Sequence, residues 1–104
     1  MLIYHQKFVK TTMKSMKLIV EGYEDVRNKE RFSYTLIDDS EKVIKIETHL
    51  KGTKVCLSLC QLLKKLLNES DSPTIELEGR AVYSTHLSSL SSLVELYNAA
   101  VKRK

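Results

Sequence analysis

Two carboxylates stand two residues apart in the segment TIELEGR, residues 74–80. Glu76 and Glu78 alternate there with Ile75 and Leu77, so a β-strand would present both acids on one face. Paired carboxylates can serve general acid–base chemistry or hold a divalent cation, but a metal site needs several oxygen ligands to converge. We therefore interpret Glu76 as solvent-facing and Glu78 as a structural or surface charge.

The other residues with reactive side chains form no motif of known function. Cys56 and Cys60 stand four apart in a leucine-rich segment, where they would share a helical face without a third ligand nearby. The sequence has no GxSxG, CxxC or HExxH motif and no glycine-rich phosphate loop. We therefore predict no catalytic residues, no metal and no cofactor. The cysteines are interpreted as small buried hydrophobic residues, and their scarcity favours a reducing, cytoplasmic location.

Lysine is the residue type whose distribution suggests binding. The chain carries 17 Lys and Arg against 13 Asp and Glu, a formal net charge of +4. Charge alternates in blocks along the sequence, and residues 42–68 hold six lysines and one acid. A basic face of this kind would neutralise phosphates or complement an acidic protein surface. The predicted binding residues are Lys42, Lys45, Lys51, Lys54, Lys64 and Lys65.

Two strands are predicted to form a β-hairpin. Residues 31–37 (RFSYTLI) alternate, with Phe32, Tyr34 and Leu36 on one face. The acidic turn DDSE leads into residues 42–50, where Ile44 and Ile46 are in step. Exposed aromatic residues on a sheet could stack nucleic-acid bases, but Phe32 and Tyr34 share a face with Leu36. We therefore expect these two aromatic residues in the core.

Two further strands complete the predicted sheet. Residues 16–23 (MKLIVEGY) are apolar on both faces, which is typical of a central strand. Residues 74–78 form a short strand that either ends at Gly79 or continues through Val82 and Tyr83. Residues 1–15 fit either a peripheral segment or an additional edge strand containing Leu2, Tyr4 and Phe8.

Two helices are predicted from apolar residues that recur at helical spacing. The first, over residues 55–68 (VCLSLCQLLKKLLN), follows Thr53 as a plausible N-cap. The second starts at about His86 and ends near the basic C-terminus, where cations favour the helix end. Its apolar face is formed by Leu87, Leu90, Val94, Tyr97 and Val101.

Together these elements predict a single α+β domain over residues 1–104. The order is β-β-β-α-β-α, with an extra N-terminal strand as an alternative. Because a hairpin is antiparallel and a strand that follows a helix joins by a crossover, we expect a mixed, mostly antiparallel sheet with two helices packed on it. The longest apolar run is too short to span a membrane.

From residue 16 onward, the order of elements resembles that of a ribonuclease H-like domain, in which three antiparallel strands precede a helix, a strand and another helix. Nucleases of that family hold divalent metal with acids on the first strand, the first helix and the fourth strand. The resemblance places Glu21 and Glu78 at the two strand positions. The helix over residues 55–68 has no acid, and Cys56 stands roughly where a carboxylate would be required. The resemblance thus implies a nuclease-like scaffold with incomplete catalytic acids.

The sequence therefore supports three hypotheses. The first is a small basic, non-catalytic protein that binds nucleic acid or a nucleoprotein. The second is a protein–protein adaptor or inhibitor, such as a regulator from a virus or mobile element, that acts through a sheet edge or a helix face. A homodimer through the same surfaces belongs to this hypothesis. The third is a degenerate ribonuclease H-like domain that uses Glu21 and Glu78.

Overall fold

The computed structural model describes residues 14–104, which form four strands and two helices in the order β-β-β-α-β-α. The elements are β1 (Ser15–Glu24), β2 (Glu30–Ile37), β3 (Val43–Leu50), α1 (Gly52–Leu67), β4 (Thr74–Arg80) and α2 (Ser84–Lys102). This order confirms the predicted α+β class. The proposed N-terminal strand containing Leu2, Tyr4 and Phe8 lies outside the described residues.

The four strands form one mixed sheet in the order β3-β2-β1-β4. β1 pairs antiparallel with β2, and β2 pairs antiparallel with β3. β4 lies parallel to β1, with Ile19 opposite Glu78 and Glu21 opposite Arg80. β1 is therefore central, as its apolar composition predicts, and β3 and β4 are the two edges of the sheet.

Both helices pack against the same face of the sheet, and the core lies between the two layers. The strand residues buried there are Leu18, Val20, Phe32, Tyr34, Leu36 and Ile75. The helix residues are Val55, Leu59, Leu62, Leu63 and Leu66 from α1 and Leu90, Val94, Tyr97 and Val101 from α2. Burial of side chains of this size contributes roughly 1.5–3 kcal/mol each. The prediction that Phe32 and Tyr34 belong to the core is confirmed.

The helices begin slightly earlier than the sequence pattern predicts. α1 starts at Gly52, and its N-cap is Lys51, which makes no side-chain capping bond. The prediction of Thr53 as N-cap is therefore wrong, because Thr53 already lies inside the helix. α1 is fixed to the sheet by a 2.8 Å hydrogen bond between the hydroxyls of Tyr34 and Ser58. α2 begins at Ser84, two residues before His86.

The link between β4 and α2 lies very close to the end of β1. A Cβ atom at Gly22 would stand 2.5 Å from the carbonyl oxygen of Ala81, so only glycine fits at this position. Ala81 itself has a φ of 55°. This close approach brings the carboxyl ends of β1 and β4 together beside the first turn of α2.

The turn between β2 and β3 is held by one aspartate. The Asp38 carboxylate accepts hydrogen bonds from the backbone N–H groups of Ser40 and Lys42, both at 2.9 Å. Glu41 adopts a φ of 64°, so the last turn position is left-handed. This local chemistry fixes where β3 begins and confirms the predicted hairpin.

Candidate interaction surface

The structure divides the six predicted binding lysines between two ends of the molecule. Lys51 and Lys54 lie at the start of α1, whereas Lys64 and Lys65 lie in its last turn. A 16-residue helix is about 24 Å long at roughly 1.5 Å per residue, so the two pairs are far apart. Lys42 lies near the last-turn pair, because the β2–β3 turn and the end of α1 are at the same end of the sheet.

One cleft brings two of the predicted lysines together. Lys45 on β3 and Lys65 on α1 both line a cleft of about 190 Å³ between the strand and the helix. Glu47 lines it too, and its carboxylate lies 3.2 Å from the Lys45 ammonium. Within residues 14–104, the other five lysines have no carboxylate within 4 Å.

The carboxylates that the sequence singles out are held by neighbouring cations or face solvent. The Glu78 carboxylate lies 2.6 Å from the Arg80 guanidinium and 3.5 Å from the Lys17 ammonium. The hydrogen bond from Arg80, and to a smaller extent the charge of Lys17, lower the pKa of Glu78. Glu76 is exposed. In the described part of the chain, no group of three or more His, Cys, Asp or Glu residues is arranged to hold a metal ion.

The two cysteines lie at the surface groove between the helices. Cys56 and Cys60 are unbonded and half-buried, which corrects the interpretation of both as small buried hydrophobic residues. They line neighbouring parts of this groove together with Leu93, and Leu57 and Leu96 are exposed beside it. The helical spacing of the apolar residues predicts that they share one face of α1. It does not predict that this face extends beyond the buried core, which leaves both cysteines partly exposed.

The outer side of β3 is the most apolar strand surface that remains exposed. Val43, Ile44 and Ile46 are 49%, 47% and 56% exposed. Within residues 14–104, β3 pairs only with β2, so its other side has no neighbouring strand. We refer to residues 43–48 (Val43, Ile44, Lys45, Ile46, Glu47 and Thr48) as the β3 edge. The sequence pattern predicts the strand, but does not indicate that it lies at the edge of the sheet formed by residues 14–104.

The β3 edge presents different chemistry on its two sides. Lys45 pairs with Leu36 and Glu47 with Tyr34, so these charges lie on the side that the helices cover. Ile46 pairs with Thr35, which places it on the opposite, open face of the sheet. Register shifts occur on both sides of this regular stretch, between Phe32 and Tyr34 and between Leu36 and Ile37.

The open face of the sheet is mixed in charge. It carries Lys17, Glu21, Arg80 and the two acids of β4, and its exposed isoleucines, Ile44 and Ile46, lie on β3. Its aromatic residue, Tyr23, is engaged with His49, since its hydroxyl lies 2.9 Å from the imidazole Nδ1. Such a face lacks the combination of stacking platforms and uniform positive charge that nucleic-acid-binding sheets use.

The other edge of the sheet is partly closed by a side chain. The amide of Asn98 on α2 accepts a hydrogen bond from the Ile75 N–H and donates one to the Ile75 carbonyl, both at 2.9 Å. Asn98 thereby occupies the position that the backbone of a neighbouring strand would take. The Tyr97 hydroxyl adds a hydrogen bond to the Pro73 carbonyl just before β4. Sequence reasoning missed Asn98, because the asparagine is far from β4 along the chain.

No protein-family model, curated protein or solved structure matches this chain significantly. Within residues 14–104, no helix combines the length and the apolar character that crossing a membrane requires.

Proposed function

We propose that this protein is a non-catalytic interaction module whose β3 edge binds a protein partner by strand pairing. The observation that carries the proposal is the exposure of Val43, Ile44 and Ile46 on a strand that has a neighbour on one side only in residues 14–104. A cytoplasmic location is part of the proposal, and the two unbonded cysteines support it.

Strand addition would give such an exposed edge a binding role. Alternate residues of an edge strand direct their N–H and C=O groups outward, so an incoming strand gains a ladder of backbone hydrogen bonds. Side chains on both faces then determine which strand is accepted. On the β3 edge, an isoleucine on the open face and a lysine and a glutamate on the other face supply that selectivity.

The test is retention of a binding partner by variants of one exposed apolar residue. The wild-type protein and an Ile46→Lys variant are immobilised, and proteins retained from an extract of the source cells are identified and then rebound in purified form. We expect Ile46→Lys to weaken rebinding at least about tenfold, since a charge would be placed in the apolar part of the contact. The matched control is Val26→Lys, because Val26 is fully exposed in the β1–β2 turn, away from β3. Equal rebinding by both variants would contradict the proposal.

Nucleic-acid binding is the second candidate, and the five lysines without a carboxylate partner in residues 14–104 favour it. Cations that are not neutralised within the protein are free to contact phosphates. Their division between two ends of α1 means that a bound strand would have to extend along the helix to meet both groups.

An electrophoretic mobility shift with single- and double-stranded nucleic acid at low and at physiological salt tests this candidate. The variants are Lys51→Glu/Lys54→Glu for one end and Lys64→Glu/Lys65→Glu for the other, with Lys29→Glu/Lys102→Glu as the charge-matched control. Binding that persists at physiological salt and is lost in either variant, but not in the control, would support it. Binding absent at both salt concentrations would exclude the candidate.

A degenerate ribonuclease H-like domain remains a third proposal, which concerns the scaffold. It is supported by the element order and by the parallel pairing of β4 with β1 in the sheet order β3-β2-β1-β4. Glu21 and Glu78 lie on adjacent strands of the open face, displaced by two residues along them. A rise in melting temperature with Mg²⁺ or Mn²⁺ that is lost in Glu78→Gln would support metal binding, and an unchanged melting temperature would contradict it.

A further inference from the structure

We propose that the β3 edge pairs with the β3 edge of a second copy of this chain, antiparallel about a two-fold axis at Ile46. This inference rests on the proposed function, because it names the partner of the same surface. The result would be a continuous eight-stranded sheet with four strands from each copy. A two-fold interface of this kind requires a surface that is complementary to itself.

The charges of the β3 edge have this self-complementarity. Lys45 and Glu47 flank Ile46 on either side along the strand. In an antiparallel pair centred on Ile46, Lys45 of each copy stands directly opposite Glu47 of the other. Directly opposed charges of unlike sign stabilise strand pairing, and the two-fold axis produces this contact twice. Any shift of register by one residue would separate the pairs.

Both charges are available for such contacts. The Lys45 side chain is 42% exposed and that of Glu47 is 37% exposed. Within one chain they lie 3.2 Å apart, so each already holds an opposite charge close by. A second copy would extend this pair into a two-by-two cluster of four charges, in which every lysine has two glutamate neighbours. Since a parallel in-register pairing would instead oppose like residues, the charges also select the antiparallel direction.

The apolar side of the β3 edge fits the same axis. Ile46 lies on the open face and would be opposite Ile46 of the second copy, while Ile44 would be opposite Thr48. Ile46 and Ile44 are 56% and 47% exposed, so pairing would remove apolar surface from water at the centre of the contact. β-Branched residues opposite one another are among the favourable pairs in antiparallel sheets.

The irregularities that flank the strand limit the length of the pairing. Register shifts on both sides of the Lys45–Glu47 stretch bend β3 away from a long flat edge. Such features prevent indefinite edge-to-edge association. We therefore expect a short contact between two copies, which gives a dimer and not a fibre. The fraction of dimer should depend strongly on protein concentration.

Charge exchange, followed by sedimentation equilibrium of the full chain over a concentration series, tests the proposal. Lys45→Glu alone would oppose two acids on each side of the axis, and Glu47→Lys alone would oppose two lysines. We expect each single variant to weaken self-association roughly tenfold or more. The double exchange Lys45→Glu/Glu47→Lys keeps the pair within each chain and restores both pairs between chains, so it should associate as the wild type does.

A mixture of the two single variants gives an independent readout. An edge with two acids would meet an edge with two lysines, so the mixture should form the heterodimer more readily than either variant associates with itself. A double exchange that stays monomeric, or single variants that associate like the wild type, would overturn the pairing about Ile46. Circular dichroism of each variant checks that the fold is retained.

Disulfide trapping tests the position of the axis. In a Cys56→Ser/Cys60→Ser background, Ile46→Cys would place two thiols on directly opposed residues, within the usual range of about 4.4–6.8 Å between Cα atoms for a disulfide. We expect a covalent dimer under mild oxidation. Thr48→Cys is the matched control, since its two copies would lie four residues apart across the ladder. Trapping of Thr48→Cys in preference to Ile46→Cys would contradict the proposed register.

The experiments separate failure of this inference from failure of the proposed function. If the wild type is monomeric up to its solubility limit but retains another protein that Ile46→Lys loses, the β3 edge binds a different partner and self-pairing is excluded. If the wild type is monomeric and Ile46→Lys changes no interaction, both proposals are contradicted. A dimer with the predicted charge dependence supports both.

Discussion

The two edges of the sheet differ in whether side chains of the same chain bond to their outer backbone groups. At β4, Asn98 of α2 supplies the hydrogen bonds that a further strand would make to Ile75, and Tyr97 binds the carbonyl of Pro73. At β3, no helix residue of the described chain bonds to the outer backbone, and Ile46 is exposed. The helix α2 thus partly closes one edge within the chain, whereas the outer side of β3 pairs with no strand within residues 14–104.

The comparison shows that the sequence of a strand does not determine whether its outer edge is bonded. The elements that the tertiary structure places beside the strand determine it. Both edge strands carry isoleucine, yet Ile75 is 4% exposed and Ile46 is 56% exposed. The difference arises because Ile75 faces α2 in the core, whereas Ile46 lies on the open face of the sheet, opposite the side on which the helices pack. Four substitutions, at Ile75, Asn98, Tyr97 and Ile46, measure this contrast in the free energy of unfolding.

The largest effect is expected at the buried isoleucine of the closed edge. Ile75→Ala should lower the free energy of unfolding by about 2–4 kcal/mol, because it removes buried methyl groups and leaves a cavity beneath α2. Urea denaturation measures this change. A loss below about 1 kcal/mol would show that α2 does not hold β4 as the structure indicates.

Removal of the side chain that closes β4 should have the next largest effect. Asn98→Ala leaves the N–H and C=O of Ile75 without their partners, and we expect a loss of about 2–3 kcal/mol. Asn68→Ala is the matched control, since Asn68 is exposed at the end of α1 and should cost about 0.5 kcal/mol or less. Equal losses of unfolding free energy in the two variants would contradict the role given to Asn98 at the β4 edge.

Tyr97 gives a smaller effect with a defined pH dependence. Tyr97→Phe removes the hydrogen bond to the Pro73 carbonyl and should cost about 1–2 kcal/mol at neutral pH. Burial, followed by the charge of Glu69, raises the pKa of Tyr97 from its ordinary value of 10.0 to about 12. The folded state therefore holds this proton more tightly, so the associated stability is complete below pH 10 and is lost as the pH rises toward 12.

Alkaline denaturation checks this sign. The wild type should lose its advantage over Tyr97→Phe between pH 10 and 12. Tyr83→Phe is the matched control, because Tyr83 is 72% exposed and lies outside the core. An advantage that stays constant across this pH range would contradict the role given to the buried hydroxyl.

The smallest effect on stability is expected at the open edge. Ile46→Ala should change the unfolding free energy of the monomer by about 0.5 kcal/mol or less, because the side chain contributes little to the core. Measurement at low protein concentration excludes a contribution from self-association. A loss comparable to that of Ile75→Ala would mean that the β3 edge is covered within the chain, and the contrast between the edges would disappear.

Much of the fold could be predicted because the signals are local. Alternation in residues 31–37 identifies the buried face of β2, and helical spacing identifies the apolar face of α2. The acidic turn at Asp38 determines the hairpin. Errors occur where elements begin or end: Thr53 resembles an N-cap, but the structure begins α1 at Gly52, and β4 ends at Arg80 instead of ending at Gly79 or continuing through Tyr83.

The candidate site was harder to predict because it depends on which surfaces remain uncovered. The six lysines are close together in the sequence, but the length of α1 separates Lys51 and Lys54 from Lys64 and Lys65 in space. Glu78 resembles a candidate metal ligand in the sequence, yet Arg80 lies two residues further along the same strand and binds it. That pairing requires both side chains to lie on one face, which alternation alone makes plausible but does not establish.

The element types, their order and the faces that form the core are encoded locally in the amino-acid sequence. These follow from periodicity and turn chemistry, which act over a few residues. Which strand edge is bonded depends on the tertiary structure, because Asn98 reaches Ile75 only after α2 has crossed back over β4. The tertiary structure also leaves the outer backbone of Lys45, Ile46 and Glu47 without a neighbouring strand in residues 14–104, because β3 is an edge of the sheet.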